Sequence, residues 1–86
     1  MIDQDFIDGD KHAALAKHFY PIDKHKAEEE EKKALEEYNK AHQRDPVNPT
    51  YYIRVGNLFL NTGRPQEALE QFDKALEIKP DSASYH

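Results

Sequence analysis

The chain has no cysteine, which excludes disulfide staples, thiolate metal sites and cysteine nucleophiles. No apolar run approaches the ~18–20 residues that a membrane-spanning helix requires. Residues 1–10 are acidic, with no basic segment leading into an apolar stretch, so no signal peptide is read there. Together these absences favour a cytoplasmic location. A basic face is missing as well. Nine acids and four bases fall in residues 1–31 and eight of each in residues 32–86, so the net charge of −5 belongs to the first 31 residues. Nucleic acid, which needs cations for its phosphates, is set aside as a partner. Nor is there a Gly-rich phosphate loop. Thr50, Thr62, Ser82 and Ser84 fall in caps, first turns or loops, and none is paired with a base as a nucleophile would be. The chain reads as non-enzymatic and without a cofactor.

What is present is a polar chain of 86 residues, 37% hydrophobic and 34% charged. That suits one small helical domain with a thin core and one buried face per helix. It is too apolar for a wholly disordered chain.

The organising feature is a repeat. Ala34, Tyr38, Ala41 and Pro46 are each followed 34 residues later by a residue of the same type: Ala68, Phe72, Ala75 and Pro80. Such a period belongs to helix-turn-helix arrays. Asn48-Pro49 is a helix start, with Asn48 capping and Pro49 at the first helical position, where its missing N–H is not needed. Tyr52, Val55, Phe59 and Leu60 recur at helical spacing. Asn61-Thr62-Gly63 is a stop, with Gly63 free to take positive φ. Pro65 opens the next helix, whose apolar residues are Ala68, Leu69, Phe72, Ala75, Leu76 and Ile78, and Lys79-Pro80 ends it. Upstream, residues 24–44 lack Gly and Pro and predict one long helix. Its early part, Glu28 to Glu31 followed by Lys32-Lys33, is expected to be solvated. Residues 10–20 predict a shorter helix ending at Tyr20-Pro21. Residues 1–9 are expected to fray, although Phe6 and Ile7 call for burial.

The stretch 49–80 resembles the tetratricopeptide repeat. The family's aromatic, leucine-glycine, aromatic, glycine, alanine, aromatic, alanine and proline slots are occupied by Tyr52, Val55-Gly56, Phe59, Gly63, Ala68, Phe72, Ala75 and Pro80. Val55 in place of leucine is the one departure. The resemblance implies an all-α fold of antiparallel hairpins, a fragment of an α-solenoid with an N-terminal helical extension. It also implies that these residues are scaffold, the small ones allowing close helix approach.

The preceding repeat matches only in its second half. Stepping back 34 from Tyr52, Gly56, Phe59 and Gly63 lands on His18, Ile22, His25 and Glu29, with Pro21 where a helix should run. The 10–20 helix either replaces the missing one in another geometry or stands apart. The division expected is an acidic segment with a short helix at 1–23, a long helix at 24–46 that ends as half of a degenerate repeat, a complete hairpin at 47–82, and the start of a third repeat at 83–86. Arrays ordinarily hold about three repeats. One and a half leaves Phe72 and Leu76 without a covering helix, which predicts either a longer array or self-association.

Function follows from the resemblance as protein–protein interaction. In this family the first helix of each hairpin lines a concave groove. On that side lie Thr50, Ile53, Arg54, Asn57, Leu60 and Asn61, and the implied occupant is a peptide or helix of a partner protein. Arg54 and Asn57 resemble types that co-chaperone members use to hold a peptide carboxylate. The rival reading is a homo-oligomer whose repeat faces stack on another copy. A remote third is a metal site drawing on His25, Glu29 and the acidic start. Asp3, Asp5, Asp8 and Asp10 resemble a calcium loop only faintly, since their spacing is wrong and Ala16 stands where the bidentate acid belongs.

Overall fold

The computed structural model describes residues 4–78. Four helices follow one another: α1 (Gln4–Phe19), α2 (Lys24–Arg44), α3 (Thr50–Asn61) and α4 (Pro65–Ile78). There is no strand among the described residues. Helices α1 and α2 form one antiparallel hairpin and α3 and α4 a second, and α3 touches all three other helices. Helix α4 packs on α3 alone. The result is elongated, 45 × 27 × 18 Å. Residues 79–86, which include Pro80 and the expected start of a third repeat, lie outside the described residues, as do 1–3.

The boundaries follow local chemistry. Asp23 caps α2 through its carboxylate, which accepts from the Lys26 N–H at 3.2 Å. Asn48 Oδ1 accepts from the Thr50 N–H at 2.9 Å. Pro49 has helical angles and is the cap residue, with Thr50 the first of α3, so the helix starts one residue later than the Asn48 cap expected. Gly63 takes φ +77° between α3 and α4, a left-handed turn where a Cβ is unfavourable.

Two expectations are corrected. Residues 4–9 do not fray. They are the first turns of α1, with Phe6 and Gly9 buried. The acidic run of α2 is solvated only at Glu28 and Glu29, whereas Glu30 and Glu31 are 6% and 4% exposed. The reason is helical phase. Ala34, Tyr38 and Ala41 define the buried face, and stepping back along it reaches Glu30, Glu31 and Ala27, which is also buried. Position overrides residue type here because partners for both carboxylates come from other elements.

The core joins Phe6 and Ala16 of α1, Ala34, Tyr38 and Ala41 of α2, Val55, Leu58 and Phe59 of α3, and Ala68 of α4. Leu58, at 1% exposure, is the large aliphatic residue α3 buries, while Leu60 is 50% exposed. A helix with three neighbours buries more than one narrow stripe, which is why Leu58 is interior beside Val55 and Phe59 while Leu60 faces the expected groove side.

Candidate functional site

The two hairpins share one device. At Gly56 a Cβ would stand 2.7 Å from Cε1 of the Phe72 ring, so α3 and α4 meet at a separation only glycine permits. At Gly9 a Cβ would clash with the Tyr38 ring in the same way, at 2.5 Å from Cδ1. Tyr38 is the residue 34 positions before Phe72. Helix α1 thus packs on α2 as α3 packs on α4, with Gly9 against Tyr38 as Gly56 is against Phe72. The fixed step of 34 missed it because Gly9 precedes Tyr38 by 29 residues, where Gly56 precedes Phe72 by only 16. The extra residues lengthen both helices of the first hairpin at its closed end.

Between the hairpins runs a set of charged contacts. Asp10 accepts a hydrogen bond from the Tyr38 hydroxyl at 2.7 Å and pairs through its other oxygen with Arg54. Arg54 also lies over the Phe6 ring, 5.8 Å from its centroid. Burial, then the bond to Asp10, raises the Tyr38 phenol well above its ordinary value. At the other end of the interface Glu31 pairs with Arg64 and accepts from the Thr62 hydroxyl at 2.7 Å. His12 Nδ1 lies 2.7 Å from Glu30 Oε1. That hydrogen bond outweighs burial and, with Lys33 nearby, holds the Glu30 carboxyl below its ordinary value. A further junction is aromatic. His42 stacks on Tyr51 with centroids 4.2 Å apart and meets Tyr52 edge-on, joining the end of α2 to the start of α3.

Among the groove residues expected from the sequence, Ile53, Asn57, Leu60 and Asn61 are exposed on α3, and Thr50 and Arg54 are half-buried. Ile53 and Leu60 are 43% and 50% exposed. Arg54, which the resemblance implies as a groove cation for a carboxylate, has its guanidinium bound to Asp10 of the same chain. Among the scaffold positions, Gly56, Phe59, Ala68 and Ala75 are buried, Tyr52 and Phe72 are half-buried, and Gly63 makes the turn.

The metal reading gains little. His25 and Glu29 approach to 3.4 Å, but their side chains are 85% and 55% exposed, and no third ligand joins them among the described residues. Asp5, Asp8 and Asp10 lie on a helix and form no loop. Asp5, Asp8 and Glu37 bring carboxylate oxygens within 4.8 Å of one another, yet Arg44 lies 2.6 Å from Asp5 and Lys40 3.0 Å from Glu37. Those cations already balance much of the charge.

Sequence reasoning missed Gly9, His12, Glu30, Glu31 and Thr62 as contact residues. The signal for Gly9 was its place between Phe6 and Ala13 on a stretch with apolar residues to bury. For the carboxylates the signal was phase on α2.

Helical hairpins set side by side and locked by small residues define a helical-repeat scaffold. The family model of the tetratricopeptide repeat matches residues 49–82, and the second hairpin is a repeat of that family. No curated protein and no solved structure matches the chain. Repeats of this family generally mediate protein–protein interaction. Among the described residues no helix is long and apolar enough to cross a membrane.

Proposed function

We propose that the chain is a protein-interaction module, and not an enzyme, that takes a peptide or helix of a partner protein on the α3 face carrying Ile53, Asn57, Leu60 and Asn61. The observation that supports this is the exposure of Ile53 and Leu60, 43% and 50%, one helical heptad apart on one side of α3. Two amides flank them and can hydrogen-bond a backbone. Exposed aliphatics grouped with polar neighbours favour a partner over bulk water. Binding rests on the aliphatic pair and the amides, because Arg54 is occupied. The test is site-specific photo-crosslinking from position 57, with Glu36 on α2 as control. A partner captured at 57, and lost in Ile53→Asp with Leu60→Asp, supports the reading. Equal capture from both positions, or capture that survives the double substitution, rejects it.

A second reading is favoured by a separate observation. Leu69 and Leu76 of α4 are 60% and 61% exposed, one heptad apart, with half-buried Phe72 between them. Two copies pairing these stripes about a two-fold axis would bury them.

A further inference from the structure

The first hairpin is longer than the second. Helices α1 and α2 have 16 and 21 residues, and α3 and α4 have 12 and 14. Because Glu31 is level with the α3–α4 turn, where it meets Thr62 and Arg64, the stretch of α2 from Lys24 to Glu30 projects past that turn by about 10 Å at ~1.5 Å per residue. Tyr20, at the end of the α1 projection, folds back with its hydroxyl against Gly63. Projection and turn enclose a cleft of about 470 Å³, within the range of ligand pockets.

The charge lining it is uneven. Ala27, Glu31 and Thr62 form a buried floor, and the Glu31 carboxylate is already bound by Arg64 and Thr62. The rim is different. Lys24, Glu28 and Lys32 lie on α2 four residues apart, all exposed. Neither lysine has a carboxylate within ion-pair reach among the described residues, and Lys24 instead sits 5.6 Å from the centroid of the Tyr20 ring. The chain carries a net charge of −5, and of its described lysines without a carboxylate partner Lys24 and Lys32 are the two that stand at the cleft. Their backbone positions stand about 12 Å apart along the helix axis, which suits two separate anionic groups. Glu28 between them repels an unbroken run of negative charge but accepts a donor.

We propose that this cleft is a second binding site, distinct from the α3 face, for an acidic peptide segment carrying two carboxylates about 12 Å apart with a cation or N–H donor between them. In an extended peptide, glutamates four residues apart reach that spacing, about 13 Å at ~3.3 Å per residue. The lysines take the carboxylates, Glu28 takes the intervening donor, and the Tyr20 ring packs against the peptide's aliphatic atoms. Nucleic acid fits poorly, because its phosphates form the unbroken charge run that Glu28 opposes.

The probe is the blocked peptide Ala-Glu-Ala-Lys-Ala-Glu-Ala, titrated into the full chain at low salt and followed by amide shifts in nitrogen–proton spectra. The charge-inverted peptide, with lysines for glutamates and the reverse, is the control. Saturable shifts at Lys24, Lys32 and Gly63 are expected, with affinity falling at least tenfold in Lys24→Glu with Lys32→Glu and severalfold in Lys24→Gln with Lys32→Gln. Ile53→Asp with Leu60→Asp is expected to leave binding at the cleft unchanged, which separates this site from the proposed groove. The proposal is overturned if shifts are absent, if the inverted peptide binds equally, if the shifts map to α3 instead, or if both lysine variants bind as the parent does.

Discussion

Gly9 and Gly56 each admit an aromatic ring where a methyl group would stand, but the two rings differ in freedom. Tyr38 is 1% exposed, bonded to Asp10 and packed on Phe6 with ring centroids 6.1 Å apart. Phe72 is half-buried, and among the described residues α4 packs on α3 alone. At a free helical site Gly→Ala gains up to ~1 kcal/mol from backbone propensity. An overpacked one loses ~1–3 kcal/mol. Gly9→Ala is therefore expected to destabilise the fold by about 1–2 kcal/mol more than Gly56→Ala, where the ring can yield. Urea unfolding of both variants measures this, and equal midpoints would show that the two contacts are equally soft. The sequence made Gly56 legible through its family slot. It left Gly9 unassigned because its place between Phe6 and Ala13 signals burial but does not say which ring lies opposite.

Helices α1 and α2 meet along a face that contains charge as well as apolar surface. The Glu30 carboxyl is held low mainly by its hydrogen bond to His12. A carboxyl with a depressed folded pKa lends stability that is complete above its unfolded value, ~4.3, and is lost as pH falls through the folded one. Stability of the parent chain is thus expected to fall as pH drops below ~4.3, and Glu30→Gln to show a shallower acid decline. Urea midpoints from pH 6 to pH 3 test it, and parallel curves for the two chains would remove the pair from the stability account. Element boundaries were largely readable, since Asp23, Asn48, Gly63 and Pro65 act through neighbours in sequence. The start of α1 was not readable, because what holds residues 4–9 helical is packing of Phe6 and Gly9 on a helix some 30 positions on.

Across the whole molecule, α3 links the hairpins and α4 depends on it alone. The Leu69 and Leu76 stripe leaves apolar area on the outer face, about 0.8 kcal/mol for each CH₂ that a second copy would bury. Self-association is expected to appear as a concentration-dependent mass in sedimentation equilibrium, and Leu69→Lys with Leu76→Lys to return a monomer. A parent chain that stays monomeric across the range rejects this second reading and leaves the α3 face and the cleft as the interaction surfaces.

Four helices' worth of pattern, the 34-residue repeat and the small residues at the second hairpin's close approach were legible in the sequence alone. These are legible because caps, periodicity and turn chemistry act over a few residues. What needed the tertiary structure was that Gly9 of α1 meets the Tyr38 ring, that Glu30 and Glu31 are interior, that Arg54 answers to Asp10, and that the longer hairpin leaves a cleft at its tip. Each of those depends on which side chain arrives from another element. For a buried charge or a close-packed glycine, that arrival, more than the residue's own type, sets the free energy.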